Sequence, residues 1–130
     1  IYTVKPFLNH GTQNMNNKGR LAEMKSANYL RNKGYTLVDH NFHSRFGEID
    51  LVCEYKEFIV FVEVKARNEN SIALPREFVD EQKQAKIIAT AGLYIQKYNV
   101  ELQPRFDVIE IYMQNNKVKS IKHLENAFCL

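Results

Sequence analysis

Acidic and basic side chains lie in two neighbouring segments that otherwise have the composition of buried β-strands. The first segment, GEIDLVCEY, carries Asp50, and the second, EFIVFVEVKAR, carries Glu63 and Lys65. Because side chains alternate between the two faces of a strand, Glu63 and Lys65 share one face. A hairpin between the segments, in the right register, would bring Asp50 beside them. The sequence therefore predicts two carboxylates and one ammonium at the end of adjoining strands.

These charges need an explanation, because the strands that carry them are otherwise apolar. The ordinary alternative is a cross-strand ion pair on a solvated face, which contributes only about 0–1 kcal/mol. Removing an ion from water costs several kcal/mol even after relaxation. A strand that served stability alone could carry Thr or Val at these positions, so we favour a functional site.

The chemistry that this group suits is hydrolysis of a phosphodiester with a bound metal ion. Carboxylates alone would repel a phosphate by roughly 4 kcal/mol for each contact at about 4 Å. A hard cation, Mg²⁺ or Mn²⁺, held by one or two carboxylates removes that repulsion and keeps positions for water and phosphate oxygens. It also lowers the pKa of a bound water. Lys65 would hold the scissile phosphate or position the attacking water.

A helix is predicted to precede these strands, from about Asn17 to Lys33, with Gly34 as its stop. Glu23 falls between Ala27 and Leu30 at about 100° per residue, so its carboxylate is expected to point towards the core. Apolar residues recur every three positions and form the expected buried stripe: Leu21, Met24, Ala27 and Leu30.

Three strand-like runs follow the helix, over residues 35–42, 47–55 and 57–67. The turns between them are short, so neighbouring strands should be antiparallel. The third run is apolar on both faces over most of its length, which is typical of a central strand covered on both sides.

A second, long helix is predicted from Pro75, a residue that suits a first helical turn. Its small residues should allow close packing on the sheet along a narrow stripe: Phe78, Ala85, Ala89 and Gly92. Strands over residues 105–113 and 117–123 follow, joined by a tight turn at Asn115–Asn116, and the lysines of the last strand suit an exposed edge. The predicted order is α-β-β-β-α-β-β in an α/β domain.

The bulk properties fit one small domain. The 130 residues favour a flexible or irregular lead over residues 1–15 and a single domain over residues 16–130. The net charge of +3 is mildly basic, which fits a nucleic-acid partner without demanding one. Two isolated cysteines make no disulfide framework, and no signal peptide or membrane-spanning run is visible. We expect a cytoplasmic protein.

The segments KGRLAE, NFHSRFGEIDLV, IVFVEVKAR and RFDVIEI resemble the YraN family of uncharacterised bacterial proteins over roughly residues 18–111. That family is similar to archaeal Holliday-junction resolvases. The resemblance implies the restriction-endonuclease-like PD-(D/E)xK fold, a central mixed sheet flanked by helices. It implies catalytic roles for Asp50, Glu63, Lys65 and Glu23, with the three acidic residues as metal ligands and Glu48 as a further one. The sequence departs from the family at Ala22, where the family usually has glycine.

The predicted function is that of a metal-dependent endonuclease that hydrolyses DNA phosphodiesters, with branched or otherwise structured DNA as candidate substrates. Arg67 and Lys83 are the candidate contacts to the DNA backbone. Symmetrical cutting of two strands would require a homodimer. Two alternatives stay open: a nucleic-acid-binding or structural protein that keeps the fold without catalysis, and a metal-binding partner in a larger complex.

Overall fold

The computed structural model describes residues 17–68 and 79–129. The predicted lead over residues 1–15 and the predicted helix start at Pro75 lie outside the described residues. Two helices and five strands make up the described chain: α1 (Asn17–Asn32), β1 (Thr36–His43), β2 (Glu48–Tyr55), β3 (Phe58–Asn68), α2 (Glu81–Tyr98), β4 (Gln103–Gln114) and β5 (Lys117–Phe128).

The strands form one sheet in the order β1-β2-β3-β4-β5. The neighbours β1, β2 and β3 are antiparallel, β3 and β4 are parallel, and β4 and β5 are again antiparallel. The parallel pair is joined by α2, as a parallel pair requires a crossover connection. This crossover returns the chain from the end of β3 to the start of β4. The first turn of α2 is therefore expected near the carboxyl end of β3.

The two helices cover opposite faces of the sheet. Alternate residues of β3 point into two separate cores, with Val60 and Val62 among the residues packed with α1, and Ile59 and Phe61 among those packed with α2. The central strand is thus buried on both faces, as its apolar sequence predicts. The order of elements and the mixed sheet confirm the predicted α/β class, consistent with a restriction-endonuclease-like fold.

Helix α1 buries a different stripe from the one expected. Met24 is exposed, and Ser26 is fully buried instead. The buried face consists of Ala22, Ser26, Ala27 and Leu30. A spacing of three residues drifts around a helix with 3.6 residues per turn, so a stripe with that spacing leaves the core within two turns. Gly34 ends the helix at φ 95°, as predicted.

Helix α2 begins later than expected and also turns another face to the sheet. Asp80 caps it, since its Oδ1 accepts a hydrogen bond of 2.8 Å from the Lys83 amide. The predicted stripe is wrong at Ala85 and Gly92, which are exposed. The residues buried against the sheet are Ile87, Thr90, Ala91 and Tyr94.

The last two strands form the predicted hairpin. Asn115 and Asn116 both have positive φ, 52° and 63°, which is the backbone of a two-residue hairpin turn. Strand β5 is an edge strand with exposed lysines, as expected, and extends to Phe128 rather than ending at His123. Among the described residues, no helix has the length and apolar character needed to cross a membrane.

Candidate metal and nucleic-acid site

The carboxyl groups of Asp50 and Glu63 meet at the point where β2 and β3 separate. The strands β2 and β3 are paired from Leu51–Val62 to Tyr55–Phe58. The next facing pair would be Asp50 and Glu63. Beyond the paired region, Asp50 Oδ2 accepts a hydrogen bond of 2.8 Å from the Val64 amide. The Asp50 side chain thereby replaces a missing strand contact and is fixed beside Glu63.

The strand β2 does not alternate regularly at Asp50. Ile49 packs with Val52 in the core under α2, whereas Leu51 packs in the core under α1. Asn41 of β1 faces this break, between the pairs His40–Leu51 and Phe42–Ile49, and it has φ 52°. The regular alternation of side chains along β2 is therefore interrupted at Asp50.

Burial and repulsion between acidic groups shift the pKa of Asp50. Burial, followed by the charge of Glu63, raises the pKa of Asp50 well above its usual range, although the Val64 amide opposes the shift. Glu63 is almost fully buried, 7% exposed. Asp50 is partly buried beside Glu63, and a carboxylate placed against a second carboxyl group needs a proton or a cation as compensation.

Glu23 approaches the pair from α1, as the helical spacing predicts. Burial raises its pKa to about 7, a hydrogen bond from Asn41 opposes that shift, and the charges of Glu48 and Glu63 add to it. Glu48 lies at the exposed margin, where its carboxylate is 3.2 Å from His43 Nδ1. We call Glu23, Glu48, Asp50 and Glu63 the carboxylate cluster.

The ammonium that contacts the carboxylate cluster belongs to Lys83. Its Nζ lies 2.7 Å from Glu63 Oε2, and this contact raises the pKa of Lys83. The charges of Asp50 and Glu48 contribute to the same shift. The sequence predicted a DNA contact for Lys83 but not an ion pair with Glu63. The pair places Lys83, in the first turn of α2, over the middle of β3.

Lys65 and Arg67 follow Glu63 along β3 on the same face. Lys65 is partly exposed and is in register with Glu110 of β4. Arg67 donates to Glu110 Oε2 at 3.4 Å, and both side chains are 15% exposed. A phosphate would therefore compete with Glu110 for Arg67, whereas Lys83 contacts Glu63 directly.

The donor set of the carboxylate cluster fits a hard cation. Asp50 and Glu63 supply carboxylate oxygens, and Mg²⁺ typically uses one or two carboxylates together with water and phosphate oxygens. Their mutual repulsion is the unfavourable term that a divalent cation would remove. Within residues 17–68 and 79–129, no three His, Cys, Asp or Glu side chains are arranged to coordinate one ion. The arrangement thus suits a site with two carboxylates and solvent, with Glu23 and Glu48 outside the immediate pair.

The histidines of the first hairpin do not form a metal pair. His40 is buried, with Nδ1 3.3 Å from the Asn41 amide nitrogen, while His43 is exposed beside Glu48. Residues three apart on a regular strand point to different faces, so these two histidines do not share one face.

A second polar network lies on the opposite face of the sheet and has a different character. Arg105 donates to both oxygens of Asp107, at 2.9 and 2.7 Å, and His123 Nε2 is 2.7 Å from Asp107 Oδ2. The Asn126 amide also donates to this carboxylate. Burial opposes ionisation of Asp107, but these hydrogen bonds prevail and lower its pKa. Every oxygen of the carboxylate has a partner, which is typical of a structural ion pair.

Comparison with known proteins gives a consistent family relationship. Residues 22–111 match the model of the Uncharacterised protein family UPF0102. A UPF0102 protein of Caldanaerobacter subterraneus subsp. tengcongensis is 45% identical over 113 residues, which is 85% of this chain and 93% of the relative. A UPF0102 protein of Persephonella marina is 43% identical over 114 residues, 87% of this chain and 94% of the relative. One from Clostridioides difficile is 42% identical over 117 residues, 88% of this chain and all of the relative.

Proposed function

The chain belongs to the uncharacterised protein family UPF0102, the YraN-type family that the sequence resembles, and we propose that it is a metal-dependent endonuclease that hydrolyses DNA phosphodiester bonds. The observation that carries this proposal is the juxtaposition of the Asp50 and Glu63 carboxyl groups, of which Glu63 is buried and Asp50 partly buried. Asp107 on the other face contacts a guanidinium, an imidazole and a backbone amide, whereas Asp50 faces a second carboxyl group.

In this proposal each residue of the site has a defined task. Asp50 and Glu63 would hold Mg²⁺ or Mn²⁺, which when bound lowers the pKa of a water and offsets negative charge on the phosphate. The Val64 amide fixes the Asp50 carboxylate, so the ligand is already oriented. Glu23 and Glu48 are assigned to the outer part of the metal site. Lys65 and Lys83 would hold the phosphate from two sides, where their charge acts as negative charge grows.

The test is cleavage of single-stranded, duplex, flapped and four-way DNA with Mg²⁺, Mn²⁺ or Ca²⁺. We expect cleavage with Mg²⁺ and Mn²⁺ and little with Ca²⁺, which prefers more ligands in a looser geometry. Asp50→Asn should lose metal binding and cleavage together. Lys65→Ala should keep the metal but cleave at least about a hundred-fold more slowly, because its charge acts mainly on the transition state.

The control is Glu54→Gln. Glu54 lies on the same strand as Asp50 but away from the carboxylate cluster. It should cleave like the wild type. Equal cleavage by wild type and Asp50→Asn would reveal a contaminating nuclease and remove the basis of the assignment.

One observation favours a second candidate function. The Lys83 ammonium already neutralises Glu63 without a metal. A nucleic-acid-binding protein that has lost catalysis could use this lysine permanently in place of a divalent cation. DNA binding without Mn²⁺ binding, measured by calorimetry, would identify that function.

The partners follow from the same chemistry. A DNA substrate would place the protein in the cytoplasm, and symmetrical cutting of two strands would require a homodimer. Sedimentation of the protein with and without four-way DNA tests the dimer, with a dimeric complex as the expected result.

A further inference from the structure

A solvent-exposed aromatic side chain lies at the tip of the hairpin that leads into the carboxylate cluster. Phe46 is 41% exposed, and it belongs to the short turn between β1 and β2. The Arg45 guanidinium lies 4.8 Å from the centre of its ring. Turns favour Gly, Pro, Asn, Asp and Ser, so the turn itself has no need of an aromatic residue.

The turn is held firmly, so Phe46 is presented by a fixed backbone. Ser44 and Gly47 exchange backbone hydrogen bonds, of 2.8 and 3.3 Å. Ser44 Oγ accepts from the Phe46 amide at 3.1 Å and is 2.8 Å from Thr90 Oγ1 of α2. Thr90 also donates to the Lys86 carbonyl at 2.8 Å. The hairpin tip is thus bonded to the middle of α2.

Close packing at Gly47 adds a second constraint. A Cβ atom at this position would lie 3.4 Å from Lys86 Cβ and 3.8 Å from Thr90 Oγ1. The main chain of the turn therefore lies directly on the helix. Since loops on a rigid scaffold are common positions for binding residues, this anchoring favours a role for the side chains that the turn exposes.

Basic side chains and two clefts surround the tip. A cleft of about 360 Å³ runs between the turn and the start of α2, and its lining includes Lys83 and Lys86 together with Glu48 and Asp80. A second cleft, of about 530 Å³, has Arg45 and Lys97 in its lining. Lys83, in the lining of the first cleft, also contacts Glu63. Within the described part of the chain, the lining of the second cleft contains no carboxylate, so Arg45 and Lys97 offer charge complementarity to a phosphate backbone.

The distance along β2 links the tip to the proposed metal ligands. Asp50 follows Phe46 by four positions in the chain, which span at most about 13 Å when the backbone is extended. Stacked bases rise about 3.4 Å each along one strand, so this distance corresponds to about four nucleotides. A base on Phe46 would therefore belong to the same short stretch of DNA as a phosphate at the carboxylate cluster.

We propose that Phe46, backed by Arg45, stacks on an unpaired nucleobase and gives the site a preference for DNA with unpaired bases near the scissile phosphate. A single exposed apolar residue is ordinary on a protein surface, but here it combines with a fixed turn, flanking cations and proximity to the carboxylates. Bases inside a duplex are already stacked on one another, whereas an unpaired base offers a free face to an aromatic ring. The proposal rests on the proposed function for its scissile phosphate.

The experiment measures binding of flapped DNA and of fully paired duplex, with 2-aminopurine in the flap beside the branch. The full chain is used in Ca²⁺, so that binding is observed without appreciable cleavage. The wild type should prefer the flap and quench the 2-aminopurine fluorescence. Phe46→Ala should bind the flap at least about five-fold more weakly, with duplex affinity unchanged within about two-fold. Phe46→Tyr should restore both flap binding and quenching.

Met24→Ala is the matched control, because Met24 is an exposed apolar side chain, 39% exposed, on α1. It should leave both affinities unchanged. Equal weakening of flap and duplex by Phe46→Ala, or no weakening of either, overturns the stacking proposal. If Phe46→Ala loses the preference for flapped DNA but the wild type cleaves no DNA, the stacking proposal is supported and the endonuclease proposal is rejected. Cleavage with unaltered flap preference in Phe46→Ala removes stacking alone, and absence of binding to every DNA form removes both.

Discussion

Lys83 combines an ion pair that the structure shows with a phosphate contact that we propose. Its side chain is 51% exposed, yet its ammonium contacts the buried carboxylate of Glu63 at 2.7 Å. In the metal-free protein this contact offsets part of the repulsion between Glu63 and Asp50. A divalent cation between the carboxylates would do the same and would release Lys83 towards the phosphate.

Lys83→Met should therefore have opposite effects on stability and on metal binding. Without metal, the free energy of unfolding should fall by about 1 kcal/mol, because Glu63 loses a charged hydrogen-bond partner that is itself partly solvated. Mn²⁺ should bind several-fold more tightly, since a competing cation is gone. Urea unfolding and calorimetry measure the two effects.

Lys86→Met provides the comparison, one turn further along α2 and exposed. It should change neither quantity appreciably. If Lys83→Met and Lys86→Met unfold at the same urea concentration and bind Mn²⁺ equally, the ion pair has no energetic weight. A double-mutant cycle with Glu63→Gln isolates the coupling between the two side chains.

At the scale of the element, the N-terminus of α2 determines where Lys83 lies. Asp80 caps the helix by accepting a hydrogen bond from the Lys83 amide itself. Asp80→Ala should lower the free energy of unfolding by about 1 kcal/mol through loss of the cap. It should also weaken the coupling between Lys83 and Glu63 measured in the double-mutant cycle, because the first turn would fray.

Asp80→Asn separates capping from charge, since asparagine caps a helix as well as aspartate does. It should retain most of the stability and the full coupling. A coupling that survives in Asp80→Ala would mean that packing of α2 on the sheet, rather than the cap, positions Lys83.

The elements also show where sequence patterns suffice and where they fail. Period-two alternation and short turns predicted the antiparallel strands, and the apolar third run predicted the central strand β3, because these features depend on burial alone. The helical stripes were less well predicted, with Met24 and Gly92 assigned to buried faces that they do not occupy. A helix can rotate by one residue without changing its composition, so only tertiary packing selects the buried face.

The candidate site likewise combines features that the sequence predicts with features that depend on tertiary packing. The proximity of Asp50, Glu63 and Glu23 could be predicted, since it depends on adjoining strands and a helical period. The ion pair between Lys83 and Glu63 could not, because it depends on where the first turn of α2 lies over the sheet. The break in alternation at Asp50 also has no signal in the sequence beyond Asn41, a residue type that tolerates positive φ.

At the scale of the whole molecule, the two faces of the sheet carry acidic groups in different surroundings. Asp107 on one face is fully hydrogen-bonded, whereas Asp50 and Glu63 on the other repel each other. Asp107→Asn should lower the free energy of unfolding by about 3 kcal/mol at pH 7, since it leaves the buried Arg105 guanidinium with only the half-exposed Glu125 as an acidic partner. The folded-state pKa of Asp107 is lowered, so its stabilisation is present above about pH 4 and is lost as the pH falls through the folded-state pKa.

Glu125→Gln serves as the control for Asp107→Asn. Glu125 also pairs with Arg105, at 3.5 Å, but its side chain is 52% exposed. Its loss should cost less than about 0.5 kcal/mol. Equal losses from the two variants in urea unfolding at pH 7 would contradict a dominant role for the buried pair.

The carboxylate cluster should give the metal-free protein the opposite pH dependence. The folded-state pKa of Glu23 is about 7, above its ordinary value of 4.5, so the folded protein binds a proton that the unfolded chain has released. The free energy of unfolding should therefore decrease as the pH rises from about 5 to 8, by roughly 1 to 3 kcal/mol from this residue. Glu23→Gln should reduce the decrease, and saturating Mg²⁺ should oppose it in the wild type, because a bound cation favours the ionised carboxylates. Urea unfolding at pH 5 and pH 8, in EDTA and in Mg²⁺, measures all three effects. A metal-free wild type that is as stable at pH 8 as at pH 5, with Glu23→Gln indistinguishable from it, would show that the cluster ionises without cost.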